Sequence, residues 1–149
     1  MTATVPALGG RSYDDITVGE ALPELMIPLT RTLIVATALA TRDFQDVHHD
    51  PDLARERGSK DVFMNILTSN GLAGRFVTDW AGPYVTVRRV KIRLGAPNYP
   101  GDTMTMTGEV VAKENGLVEV KVVGANSLGN HLSGTVTVAY PSAGEGKDA

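Results

Sequence analysis

The chain has no cysteine among its 149 residues. That excludes disulfides, thiolate nucleophiles, zinc-ribbon sites and iron–sulfur ligation, leaving Asp, Glu, His, Ser, Thr, Tyr, Lys and the backbone for polar chemistry. It also lacks a basic excess. The net charge is −3 and the pI is near 5.5, the opposite of the basic footprint that marks a nucleic-acid-binding domain. No long apolar run is present: the longest, Thr32 to Ala40, falls far short of the roughly 20 residues a spanning helix needs. The first ten residues lack a charged segment followed by an apolar one, so a secretory leader is not read there. A cytoplasmic protein that binds neither membrane nor nucleic acid is the expectation. Gly (16) and Pro (8) are too few for a low-complexity chain. What remains is a 15.8 kDa chain, 42% hydrophobic and 21% charged, which reads as one globular domain. The expected organisation is a flexible segment over 1–12, one domain over 13–140, and a solvated tail over 141–149.

The pattern along the chain changes period near Pro83. Before it, Leu22 to Leu29 is interrupted by Pro23 and Pro28 and reads as an edge strand or an irregular extended segment. Thr32 is a plausible N-cap for an Ala/Leu-rich helix running to about Arg42. A short second helix is punctuated by Asp50 as cap, Pro51 in its first turn and Gly58 as stop. The third begins after Asn65 and carries Ile66, Ala73, Phe76, Val77 and Trp80 on one face. Gly71 and Gly74 inside it suggest close approach of another backbone. After Pro83, apolar residues alternate: Met104, Met106, Gly108 and Val110; Val118, Val120 and Val122; Leu132, Gly134, Val136 and Val138. Asn115-Gly116 and Leu128-Gly129-Asn130 are turn signals. Val85 and Val87 are out of phase with Val90, Ile92 and Leu94, which places a bulge near Arg88-Arg89. The fold class is α+β: helices first, then an antiparallel meander with one buried face, covered by the helix after Asn65.

The ionisable groups concentrate in Asp43-Phe44-Gln45-Asp46-Val47-His48-His49-Asp50. On a regular helix, Asp43 and His48 would sit about 140° apart and could not converge. They converge only if the helix ends near Asp43 and the chain turns back through Gln45-Asp46. Held together, a carboxylate and an imidazole can bind one water and move its protons. Spacing alone favours a blander reading, a solvated turn between helices. A metal site from Asp46, His48, His49 and Asp50 is a third reading, but no regular ligand repeat supports it. Asp50 reads better as a cap and His49 as a surface residue. The unpaired N–H groups at the start of the Asn65 helix, those of Ile66 and Leu67, could stabilise an oxyanion; a capped core helix is the simpler account. Arg89, Lys91 and Arg93 alternate as a basic stripe that could meet phosphates such as those of coenzyme A, though the wet face of a strand fits better. Met104 and Met106 read as core.

Three stretches together resemble the MaoC-like (R-specific) enoyl-CoA hydratases. They are Asp43…His48 followed by His49-Asp50-Pro51, the capped helix after Asn65, and Asn98-Tyr99-Pro100-Gly101-Asp102-Thr103 with Thr107-Gly108-Glu109-Val110. The likeness covers roughly Tyr13 to Tyr140. It implies a hot-dog fold, an antiparallel sheet wrapped around a long helix. It implies catalysis by Asp43 and His48, with backbone N–H groups of Asn65 and Ile66 as oxyanion donors. No metal or redox cofactor is implied, coenzyme A being part of the substrate. Where the family usually has His-Gly before the central helix, this chain has Met64-Asn65; Arg42, Gln45 and Asp46 likewise replace Gly and Asn-Pro. The runs TALATRDFQDVHHD, GSKD, NILT, VTDWAGP and VKVVG are similar to the small subunits of actinobacterial steroid side-chain hydratases. That likeness implies a steroid enoyl-CoA substrate in cholesterol degradation. It also implies a second MaoC-like subunit in a heterotetramer, and a link to an aldolase that cleaves the product later. A hot-dog acyl-CoA thioesterase and a non-catalytic acyl-CoA-binding subunit are the alternatives.

Overall fold

The computed structural model describes residues 10–141. Of the stretches expected to be flexible, 1–12 and 141–149, residues 1–9 and 142–149 lie outside the described residues. The Arg11 N–H donates to the Ala81 carbonyl at 3.1 Å, and its guanidinium pairs with Glu20 at 2.8 Å.

Strand β1 (Leu25–Pro28) is followed by helices α1 (Arg31–Ala40), α2 (Pro51–Glu56) and α3 (Ile66–Ala81). Strands β2 (Thr86–Leu94), β3 (Thr103–Glu114), β4 (Leu117–Asn126) and β5 (Gly129–Ala139) come after them. The sheet is five-stranded and antiparallel, in the order β1-β3-β4-β5-β2. Only β3, β4 and β5 form the expected meander. β1 precedes every α-helix yet pairs with β3, and β2 crosses to the far edge to pair with β5. The proline-broken β1 lies at an edge, where a strand tolerates a missing N–H.

Local chemistry set most turns. Asn115 and Gly116 both have positive φ (51° and 76°), as the two-residue turn between β3 and β4 requires. The β4–β5 turn falls on Ser127-Leu128, slightly earlier than its glycine suggested. The bulge in β2 lies between Val87 and Arg89, as the phase change predicted. It places Arg89, Lys91 and Arg93 on the outer face opposite Thr137, Thr135 and Ser133.

The inner face carries Met104, Met106, Val110, Val118, Val120, Val122, Leu132, Val136 and Val138, all essentially inaccessible to solvent. Against it α3 lays Leu72, Ala73, Phe76 and Val77. Gly108 makes this contact possible: a Cβ there would come within 2.7 Å of Phe76 Cε1. The buried stripe of α3 also includes Thr68, Ser69 and Ala81. Ile66, expected on it, is the first residue of the helix and is 49% exposed; Trp80, on the same side of the helix as Ser69 and Ala73, is half-buried near its other end. The close backbone expected at Gly71 and Gly74 is not in this chain, because both lie away from the sheet and an added Cβ would meet open space. Helix α1 also departs from expectation. Its cap is Thr30, whose hydroxyl accepts from Leu33 N–H at 3.0 Å, and it ends at Ala40 rather than near Arg42. Either threonine suits a cap. Leu29, buried and bonded to the Asp102 carbonyl at 2.8 Å, starts the helix at the earlier one. Among the described residues, no helix is long and apolar enough to cross a membrane.

Candidate active site

Helix α1 ends in a Schellman motif: Asp43 N–H reaches the Ala38 carbonyl (2.9 Å) and Arg42 N–H reaches that of Leu39 (3.0 Å). The residue between helix and Asp43 must then be left-handed. Arg42 has φ 58°, a conformation that favours glycine; α2 ends in the same way, with Gly58 at φ 88° in that position. The motif throws Asp43 off the helix axis. The chain returns through a 3-10 turn, Asp46–His48, which brings His48 Nε2 to 3.4 Å from Asp43 Oδ2. The five-residue spacing that forbade contact on a helix is thus overcome by helix termination.

His48 is 93% buried, its ring edge-on to Phe63 at 4.9 Å between centroids. Its Nδ1 lies 2.7 Å from the Phe63 carbonyl. A carbonyl can only accept, so Nδ1 carries a hydrogen and Nε2 is left facing the carboxylate. Asn65 completes the group. Its amide nitrogen donates to Asp43 Oδ2 at 3.0 Å and to Thr41 Oγ1 at 2.9 Å. Its Oδ1 accepts from the Thr68 N–H at 3.1 Å and from the Thr68 hydroxyl. One side chain therefore caps α3 and aims the carboxylate. Beside it, the N–H groups of Asn65, Ile66 and Leu67 have no acceptor among the described residues, and all three stand at the positive end of a 16-residue helix. Ile66 and Leu67 are each 49% exposed there.

The remaining ionisable residues of the segment are committed elsewhere. Asp46 holds Arg57 through both oxygens at 2.8 Å, which lowers its pKa. Asp50 Oδ1 caps α2, accepting from Asp52 and Leu53 N–H at 3.0 and 3.1 Å. His49 Nε2 lies 3.1 Å from the Phe44 carbonyl. The four residues of the metal reading do not converge, and among the described residues no group of three or more His, Asp or Glu does. The solvated-turn reading also fails for His48, which is buried, and holds for the exposed Phe44 and Gln45.

Two supports of the site have no clear sequence signal. Arg31, the first residue of α1, makes a bidentate pair with Asp61 (2.8 and 2.8 Å). The pair holds the Asp61 carboxyl down to about 2 and ties the start of α1 to the segment leading into α3. His131 is the second. Strand alternation would put it on the outer face with Ser133 and Thr135, but a register shift after Gly124 turns it inward. It is 98% buried, with Nε2 2.7 Å from Ser69 Oγ and Nδ1 2.8 Å from the Ala96 carbonyl.

A long helix wrapped by a five-stranded antiparallel sheet is the hot-dog fold of MaoC-like hydratases. The model of the MaoC like domain matches residues 17–130, and the chain belongs to that family. Among curated proteins it is 57% identical over 122 residues to the 3-oxo-4,17-pregnadiene-20-carboxyl-CoA hydratase beta subunit of Mycobacterium tuberculosis, covering 82% of this chain and 95% of the relative. Among solved structures, a chain of the ChsH1-ChsH2 complex from Mycobacterium tuberculosis superposes with a TM-score of 0.82 at 55% identity, over 84% of this chain and 98% of that one. The (R)-hydratase from A. caviae involved in PHA biosynthesis shares the fold at 18% identity, with a TM-score of 0.77 over 85% of this chain and 98% of that one.

Proposed function

We propose that this chain is the catalytic subunit of an enoyl-CoA hydratase that adds water across the 2,3 double bond of a steroid side-chain enoyl-CoA. The observation that carries the reading is the 3.4 Å gap between His48 Nε2 and Asp43 Oδ2. It is long for a direct hydrogen bond and suits two groups that hold one water between them. In the reactive state one transferable proton lies on Nε2, besides the Nδ1 hydrogen held by the Phe63 carbonyl. As the water oxygen attacks Cβ, Asp43 accepts the water's proton and the electron pair moves onto the thioester oxygen. The N–H groups of Asn65 and Ile66 hold that oxyanion at the helix's positive end. Cα then takes the proton from Nε2, and transfer from Asp43 to His48 restores the pair. Because the cycle passes one proton between the two groups, Asp43 and His48 act as a pair. The reading calls on no metal or redox cofactor; coenzyme A enters as part of the substrate.

The steroid side chain follows from the name of the 57%-identical relative. A partner follows from the complex in which the 55%-identical chain was solved. Ile66 and Leu67, exposed beside the oxyanion donors, are suited to cover by a second MaoC-like subunit or by the steroid itself. We place the protein in the cytoplasm, in a heterotetramer with that subunit, upstream of an aldolase.

The test is hydration of a panel of enoyl-CoA thioesters, from crotonyl to steroid, by the co-purified complex, followed by loss of the enoyl absorbance. Asp43→Asn and His48→Ala are each expected to lose about 10²- to 10⁴-fold in rate with assembly intact. Near-parental turnover in either variant refutes the assignment. Release of free thiol from saturated acyl-CoA would point to a thioesterase instead.

A further inference from the structure

The buried His131 takes no part in the proposed chemistry, yet both its ring nitrogens are engaged. Nδ1 faces the Ala96 carbonyl at 2.8 Å and so carries the hydrogen. A neutral ring then offers the lone pair of Nε2 to the Ser69 hydroxyl at 2.7 Å. Burial pushes its pKa down, which favours that neutral form. Ser69 is inaccessible to solvent and lies one turn into α3, its Oγ also 3.2 Å from the Asn65 carbonyl. On the other side of Asn65, the Met64 N–H donates to the Asn98 carbonyl at 3.1 Å. The segment holding Ala96 and Asn98 is itself fixed: Gly95 and Ala96 N–H donate to the His131 and Asn130 carbonyls (2.8 and 2.9 Å), and the Asn126 amide donates to Asn98 Oδ1 at 2.8 Å. Asn65 is therefore bracketed, from Met64 before it and Ser69 after it, against one segment and one strand end.

We infer that His131 and Ser69 are positioning residues for the hydration site, fixing the α3 turn whose Asn65 amide aims Asp43 and whose N–H groups meet the thioester oxygen. Neither residue touches Asp43, His48 or the substrate; they act through Asn65. An apolar side chain at 131 would fill the same space without holding Ser69 in one orientation. Fixed orientation is what a first turn needs when it must keep two groups at catalytic distance. The inference rests on the proposed hydration for its kinetic readout, and the experiment includes a second readout that does not.

Ser69→Ala removes one oxygen and one of the two ring bonds, and is milder than His131→Phe, which removes both. In the assembled complex, folded Ser69→Ala is expected to lower kcat at least tenfold while KM for the enoyl-CoA stays within twofold. The ¹³C carboxyl signal of Asp43, assigned by its loss in Asp43→Asn, is expected to shift in Ser69→Ala. A purely structural role would lower the melting temperature and leave that signal in place. Parental kcat, or an unmoved Asp43 signal, in the folded variant overturns the inference. A parent complex that hydrates no enoyl-CoA refutes the proposed function alone, and the carboxyl signal still decides this inference.

Discussion

The bond from the Asn65 amide to Asp43 Oδ2, 3.0 Å long, can be inverted by a single isosteric change. Asn65→Asp retains a good cap, since aspartate caps helices about as well as asparagine, and Thr68 keeps its acceptor. It replaces the donor facing Asp43 with a second acceptor. Two carboxylates about 3 Å apart repel by roughly 5 to 6 kcal/mol at an effective dielectric near 20. They escape by sharing a proton, as close carboxylate pairs do. Taking up that proton at pH 7 costs about 4 kcal/mol against an ordinary carboxylate value near 3.9, and only about 1.5 at pH 5. Protonation is therefore the cheaper route. The folded variant binds one proton more than its unfolded chain, so its stability must rise as the pH falls from 8 to 5. Urea unfolding of parent and variant across that range measures this as a midpoint difference that narrows toward pH 5 at unchanged m-value. Turnover at pH 7 is expected to drop at least a hundredfold, because a carboxylate pair sharing a proton no longer offers Asp43 as a base. A variant with parental stability at pH 7, or with a penalty independent of pH, would show that Asn65 and Asp43 are not in contact.

Other perturbations probe the supports of the site. Arg42→Gly relieves a left-handed arginine, a strain of roughly 1 to 2 kcal/mol, partly offset by the entropy of glycine. A net gain of about 0.5 to 1 kcal/mol is expected, read as a raised melting temperature with activity retained. Asp61, held down to about 2 by Arg31, contributes stability that is fully present above its unfolded value near 3.8. That contribution is lost as the pH falls toward 2. The full shift would be about 2.5 kcal/mol, but Arg31 is half exposed and solvent screening leaves about 1. Asp61→Asn should lower the denaturation midpoint at pH 7 and close the gap to the parent near pH 2. Gly108→Ala drives a methyl toward Phe76 Cε1 and should cost about 1 to 3 kcal/mol, measured by urea unfolding.

Legibility divided along a physical line. The caps at Asp50 and Asn65, the Asn115-Gly116 turn, the β2 bulge and the inward faces of β3, β4 and β5 could all be read from the chain. Each depends on residues a few positions apart, where side-chain period, φ preference and unpaired helix N–H groups act locally. The Thr30 start of α1 is not legible in the sequence, because two threonines suit a cap equally and Leu29, docked on a distant strand end, makes the choice. Ile66 is exposed because it starts the helix: a helical period gives the face on which a residue lies but not how far along the helix the cover extends.

The absence of cysteine and of a basic excess had already narrowed the chemistry to a few residues, and Asp43 with His48 stood out among them. What the sequence determined by itself was the inventory: which groups can act, and which elements carry them. Only the tertiary structure decided their distances. It ended α1 at Ala40 so that Asp43 leaves the helix, set Nε2 of His48 3.4 Å from it, and gave Asn65 a second task beyond its cap. It turned His131 inward at a register shift that strand alternation hides. These contacts join residues 22 and 62 positions apart in the chain. No local preference encodes such separations; they follow from packing one helix against one sheet.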